Sequence, residues 1–297
     1  MLRGRLWVLG CIASFSLWVH STEIDSFTDR DPLLRDASSE VSILMDNYLQ
    51  DALEIANQKH SCDSRVIEQA VLSKMGGQAW AAIEIDIEND PFIDKRRSEV
   101  KDSVYRDFSI LDSLGLQIVK LGYLMRFGDL YIGSDKFGHF SETSHRYFDL
   151  VYRQGKQRVE ALEYGEYTER TYLGLLLDGV YSYADLSANY SGLYFWQRVT
   201  NIDLDPGDEP YFTCENNLWK KAAVFNWSDY IQESWDEGIN CNRYKNASME
   251  PKVFQRIHEL ERYRMERLTC PIDPSSCQRM LDHYGPIAKY VITDKCF

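Results

Sequence analysis

The sequence predicts an all-α fold, a compact multi-helix domain with a disulfide-stapled C-terminal portion. Three observations carry that prediction. Apolar residues recur at helical spacing along most of the chain. Helix start and stop signals bracket the clearest of those stretches. No set of alternating runs stands out that could pair into a sheet.

The elements follow in order. Residues 22–38 are polar, carry alternating charges and contain Pro32, so they read as an extended leader. From Glu40 to Lys59 the apolar residues Val41, Leu44, Met45, Tyr48, Leu49 and Leu53 mark a first helix. Asp63 and Ser64 can cap a second, which runs to about Lys74 and stops at Gly76-Gly77. Residues 79–88 alternate like a strand near their end, but with no obvious partner they read as helix. After the Asp90-Pro91 turn, helices are predicted over about Asp94–Phe108 and Leu114–Met125, then a loop over Gly128–Gly133. Ser134 opens the most legible helix, which reaches Arg153 before Gly155. Another spans Val159–Leu177, interrupted by Gly165 and Gly174. Ser182 with Asp185 is a start signal for a helix to about Val199. The Asp-, Gly- and Pro-rich loop Asn201–Pro210 divides a helical domain (39–200) from an aromatic, cysteine-containing region (201–297) packed on it. In that region helices are predicted near Leu218–Val224, Ser228–Asp236, Pro251–Leu268 and Ser275–Tyr284.

The first residues predict export. Arg3 and Arg5 precede an apolar run from Leu6 to Val19, and Ser21 suits the last position before cleavage, so residues 1–21 read as a signal peptide. The run falls short of the roughly 20 residues a spanning helix needs, and the mature chain has no transmembrane segment by sequence. Leu9-Gly10-Cys11 gives a second reading, a lipid anchor at Cys11. Cys62, Cys214, Cys241, Cys270, Cys277 and Cys296 remain, an even number that suits disulfides in an oxidising compartment, with fifteen connectivities open. The chain is thus expected to be periplasmic or secreted, as a cell-envelope component. Beyond residue 21, 31 basic side chains face 46 acidic ones, a net of −15. Such a surface repels phosphate backbones, so nucleic acid is not an expected partner.

The chemistry-bearing residues concentrate in two stretches. In Ser134–Arg146, Asp135, His139, Glu142 and Arg146 fall in one stripe at helical spacing, opposite Phe137, Phe140, Tyr147, Phe148 and Val151. That stripe either meets solvent or lines a polar cavity between helices. Glu142 and His145 stand at the i,i+3 spacing used in helical di-metal sites, but no second such pair exists. A single ion on Asp135, His139 and Glu142, or on a trio including His145, is the weaker metal alternative, and no pattern requires a cofactor. In the second stretch, Asp185, Asn189 and Gly192 share a face. A helical glycine costs about 1 kcal/mol relative to alanine, so Gly192 points to close approach of another helix. Asp185 and Asn189 would then be buried and in need of partners, which Asp135, Lys136 and His139 could supply.

Asp135-Lys136-x-Gly138-His139-Phe140 followed by Asp185-Leu186-x-x-Asn189-x-x-Gly192 resembles the motif pair of VanZ-like proteins and of YfiM-like putative periplasmic lipoproteins. The resemblance covers roughly residues 130–196. It implies that the two helices face each other; it implies no reaction. The chain departs from the first family by its lack of membrane helices and from the second by its long flanks.

Three functions stay open on sequence. One is a non-catalytic envelope protein with a structural polar cluster. A second is a hydrolase, metal-assisted or using His139 as general base with Asp135 or Asp185, and with Lys136, Asn189 and Glu142 as binding groups. The third is a glycan- or peptide-binding module built on the aromatic residues between Tyr190 and Trp235, which equally suit a core.

Overall fold

The structure is a computed structural model that describes residues 23–76, 81–118, 120–171, 174–176 and 178–297. Residues 1–22, with the expected signal peptide and Cys11, and residues 77–80 lie outside the described residues.

Helices α1 (Ser38–Asn57) and α2 (Ser64–Met75) form an antiparallel pair joined by a short turn. Asp63 caps α2 by accepting the Arg65 N–H at 2.9 Å. The pair packs Val41, Met45, Leu49, Ile67 and Val71 inward, all with no exposed surface. Helix α3 (Ala82–Asn89) crosses beneath them. One turn, α4 (Gly115–Ile118), precedes an antiparallel hairpin of β1 (Leu124–Phe127) and β2 (Leu130–Gly133).

A continuous helix then covers 135–153. It consists of α5 (Asp135–Gly138), a π turn over His139–Thr143, α6 (Ser144–Phe148) and a second π turn over Asp149–Arg153. Helix α7 (Arg158–Arg170) starts with a reciprocal Gln157/Glu160 cap. Strand β3 (Val180–Tyr181) leads into α8 (Tyr183–Thr200), the central helix of the fold. Nearly every α8 side chain is buried, so it is apolar or polar-satisfied all round rather than amphipathic. Beyond it come a second hairpin, β4 (Phe212–Glu215) with β5 (Leu218–Lys221), and β6 (Arg243–Tyr244), which pairs with β3. Helices α9 (Met249–Arg264), α10 (Ser276–Tyr284) and α11 (Ala288–Val291) close the chain.

The fold is therefore mixed α/β rather than all-α. Among the described residues, three two-stranded antiparallel sheets stand between the helices. The helix expected over about Leu114–Met125 is reduced to the turn α4, and its last two residues join the loop expected over Gly128–Gly133 in the first hairpin. Its two-residue turn is Gly128-Asp129, and Gly128 has φ +60°, which glycine adopts without strain. The helix expected at 218–224 is β5, reached through Asn216 and Asn217, both at positive φ. Asp94–Phe108 contains only a 3₁₀ turn at Val100–Asp102, and Ser228–Asp236 only two such turns. The hairpin strands are only four residues long, and spacing alone does not separate strand from helix over such lengths.

The disulfides pair Cys62 with Cys214, Cys241 with Cys270, and Cys277 with Cys296. The last two staple the C-terminal portion; the first ties the α1–α2 turn to β4. Three disulfides fit an extracellular, oxidising location. Among the described residues no helix is long and apolar enough to cross a membrane. The main core draws on residues from Ala37 to Ile292. Of the aromatic residues between Tyr190 and Trp235, all but Tyr190 and Tyr194 are core. A smaller core forms where α9 packs on Val104, Tyr105 and Phe108.

Candidate functional site

Helix α8 lies along the 135–153 helix, and Gly192 lets them touch. A Cβ at Gly192 would stand 2.2 Å from the Phe140 carbonyl oxygen and 2.3 Å from Ser144 Oγ. This close approach faces Asp135, Lys136 and His139 toward Asp185 and Asn189, as the sequence pattern predicts.

Lys136 is the centre. Its side chain is wholly buried, and Nζ lies 2.7 Å from Asp135 Oδ2, 2.5 Å from Asp185 Oδ1 and 2.5 Å from Glu237 Oε1. Three donors thus meet three carboxylates, the complement that a buried ammonium requires. Burial opposes the charge on Lys136, but Asp135, Asp185 and Glu237 outweigh it and hold its pKa well above the ordinary value. The Ser182 hydroxyl accepts the Asp185 N–H at 3.2 Å, capping α8, and lies 3.0 Å from both Asp185 Oδ1 and Glu237 Oε1. Asn242 Nδ2 donates to Glu237 Oε2 at 2.8 Å. Asp135 Oδ1 is buried with no hydrogen-bond partner.

His139 bridges the two helices. Nε2 lies 3.1 Å from Asp185 Oδ2, and Nδ1 lies 3.2 Å from Asn189 Oδ1. Both partners are oxygen acceptors, an arrangement that favours the imidazolium, with a proton on each ring nitrogen. Burial works against that charge, but the Asp185 carboxylate, helped by Glu169 and Asp135, overcomes it and raises the pKa to about 9. Burial would raise Asp185, yet His139 and Lys136 hold it well below the usual carboxylate range. His139 has 17% of its side chain exposed, against 8% or less for Asp135, Lys136, Asp185 and Glu237, so it is the member that solvent reaches.

Two further carboxyls, Glu169 and Glu23, complete the site with Glu237. Glu169, from the end of α7, is buried, and burial together with the Asp185 charge lifts its pKa to about 8. Glu237 rises to about 7, by burial first, against the pull of Lys136. Glu23 is driven well above its ordinary value by burial and by Glu237. Five buried carboxyl groups therefore surround two cations, and protonation of some of them limits the excess negative charge.

Sequence reasoning found Asp135, Lys136, His139, Asp185 and Asn189. It missed Glu237, Glu169 and Glu23. Glu237 lies 101 residues from Lys136, and local spacing carries no sign of that approach. Asn189 is buried rather than exposed. The stripe on the 135–153 helix divides. Asp135 and His139 enter the cluster, whereas Arg146 is exposed and pairs with Asp149. The π turn between them explains this, because i→i+5 bonding widens the turn and puts later residues out of phase. His145 is likewise turned away to Glu68 on α2, at 3.0 Å, where Arg153 also binds. Ser134 does not cap the helix; its hydroxyl donates to Glu88 at 2.8 Å.

Among the described residues, two groups have ligand atoms close enough to share an ion: His139, Glu169 and Asp185, and Asp135, Asp185 and Glu237. Glu142 and His145 belong to neither. In the second group the Lys136 ammonium already supplies the positive charge. The first keeps a carboxylate pair and an imidazole whose far nitrogen is oriented by Asn189, an arrangement seen around bound metals.

No family model, curated protein or solved structure matches the chain.

Proposed function

We propose that the chain works outside the cytoplasm as a non-catalytic component of the cell envelope. On this reading it is periplasmic or secreted after signal-peptide cleavage, with lipid attachment at Cys11 as the alternative form. Asp135, Lys136, His139, Asp185 and Asn189, with Glu237, are the polar hub that fixes its two central helices in one register. The observation that carries this reading is the bonding of His139. A general base must offer a lone pair, and a ring held between the Asp185 carboxylate and the Asn189 carbonyl oxygen, with its pKa raised to about 9, keeps its proton instead. The three disulfides support the extracytoplasmic part. The likeness to VanZ-like and YfiM-like proteins is part of the proposal and draws support from the meeting of its two motifs across Gly192.

A metal-assisted hydrolase is the second reading, favoured by the convergence of His139, Glu169 and Asp185 within 4.8 Å. One experiment separates the two. Oxidised mature protein is assayed for bound metal, and the His139 ring is titrated by nitrogen NMR. An imidazolium near pH 7 in metal-free protein, with a His139→Ala variant of much lower melting temperature, supports the hub. Stoichiometric metal that is lost in both His139→Ala and Glu169→Gln overturns it in favour of the hydrolase.

A further inference from the structure

The opposite side of α8 borders a cleft of about 810 Å³, within the size range of small-ligand sites. It does not communicate with the polar hub through any shared lining residue. Tyr190 and Tyr194 of α8 and Tyr284 of α10 form its aromatic wall. The Tyr190 ring stands at 82° to Tyr194, with centroids 5.4 Å apart, and at 62° to Tyr284, 6.2 Å away. These rings are held in place. The Tyr190 and Tyr194 hydroxyls bond each other at 2.9 Å, and the Tyr284 hydroxyl lies 2.7 Å from Ser187 and 2.8 Å from Ser234. The Tyr190–Tyr194 contact uses one of the pair's two hydroxyl protons, so the wall offers ring surface together with one O–H donor.

The charged groups facing this wall are mostly acidic: Asp208, Glu209 and Asp229 stand against Arg198, with Gln232 and His283 beside them. Arg198 is the strongest cation there, and it is spent: it donates to the Glu209 carbonyl at 2.8 Å, to Asp229 at 2.9 Å and to the Tyr230 hydroxyl at 3.3 Å. The side chains of Asp208 and Glu209 are on the rim, exposed, and in no ion pair among the described residues. The cleft therefore repels anions and has carboxylate acceptors left over. Its complement is a ligand with apolar C–H faces for the tyrosines and an excess of O–H or N–H donors for the acids. Sugars have that combination, and an amino sugar adds the positive charge the rim lacks.

We propose that this cleft binds a short oligosaccharide and prefers amino sugars over acidic ones. The ring of Tyr190 stacks the sugar beside that of Tyr194, which also carries the Arg158 guanidinium 5.4 Å from its centroid, and Asp208 and Glu209 select the sugar's charge. The hub on the other side of α8 takes no part, so the proposal goes beyond the reading given above and can fail without it.

The test is titration of the oxidised protein with a glucosamine tetrasaccharide, its N-acetylated counterpart and a galacturonate tetrasaccharide. Calorimetry and intrinsic fluorescence both serve as readouts. Trp235 is a built-in reporter, since its indole N–H donates at 3.2 Å to Ser191, which lines the cleft. The expected order is glucosamine first, N-acetylglucosamine second and galacturonate without binding. Tyr194→Ala should weaken both bound sugars by at least roughly tenfold, as loss of an aromatic anchor does. A double Asp208→Asn, Glu209→Gln variant should lose the preference for the amino sugar but keep the acetylated one, at unchanged melting temperature. No binding of any of the three at millimolar concentration overturns the proposal. Binding that neither set of variants alters overturns it too, as does equal capture of an oligolysine, which would mean that acidity alone is read.

Discussion

The two faces of α8 put comparable residue types to opposite uses. On the face toward the 135–153 helix, Asp185 and Asn189 are buried and every strong donor of Lys136 and His139 has an acceptor. On the other face, Tyr190 and Tyr194 are half-buried, and the carboxylates across from them include two with no ion-pair partner. The first is a closed arrangement: charge is enclosed, compensated and shared among helices distant in sequence. The second is open, and its unspent groups face solvent. A helix that is rigid on one side is a suitable platform for recognition on the other, because ordering costs are already met before a ligand arrives. The contrast also separates what mutations should do. Changes on the hub side should appear as stability, and changes on the cleft side as binding.

The largest effect should come from Lys136→Met. It removes the shared cation and leaves Asp135, Asp185 and Glu237 facing one another in the interior. Breaking such a buried set typically costs about 3–5 kcal/mol, and urea denaturation of the oxidised protein measures it. A variant as stable as the parent would break the comparison, because the hub would then not be structural.

Next is Gly192→Ala. The added methyl meets the Phe140 carbonyl and Ser144 on the facing helix, so the helices must separate. Overpacking of this kind costs about 1–3 kcal/mol. The same substitution should leave sugar binding at the cleft within twofold of the parent, roughly 0.4 kcal/mol, at temperatures where the variant is folded.

The pH dependence should be smaller but has a definite sign. His139 rises from 6.5 to about 9 and Glu169 from 4.5 to about 8 on folding. In both cases the folded state binds protons more tightly, so stability is fully present below the ordinary pKa and falls as pH climbs toward the folded one. Melting temperature should therefore decline from mildly acidic pH toward pH 9 (the folded pKa of His139 is about 9). Glu169→Gln should flatten the part of that decline below about 8. A melting temperature that rises over the same window would contradict the imidazolium assignment.

The smallest effect should be that of the Asp208→Asn, Glu209→Gln pair on stability, within about 0.5 kcal/mol, as for exposed side chains without special contacts. A larger loss would mean that the cleft rim is structural, and the distinction between the two faces of α8 would narrow.

Much of the frame was legible before the structure. The caps at Asp63 and Ser182, the long helix from residue 135, the close approach at Gly192 and the meeting of Asp135, Lys136 and His139 with Asp185 and Asn189 all follow from local pattern. The two hairpins were legible in principle and were read as helix or loop. Gly128-Asp129 and Asn216-Asn217 are turn dipeptides between short runs, and Gly128, Asn216 and Asn217 carry the positive φ angles that suit tight hairpins. The failure on the 135–153 helix is different in kind. Its phase changes at the π turn, and a constant angle per residue therefore misplaced Arg146 and His145.

By itself the sequence determined where helices start and stop, which face of each is apolar, and that buried charge near Lys136 would need partners. These are short-range matters of spacing, capping and transfer from water. Only the tertiary structure decided which of many carboxylates those partners are. Glu237, Glu169 and Glu23 come to the hub from different parts of the chain, and the energy that selects them is electrostatic and depends on distance in space alone. The same holds for the cleft: acidic side chains and tyrosines abound in this chain, and it is packing that leaves a few of them open and spends the rest.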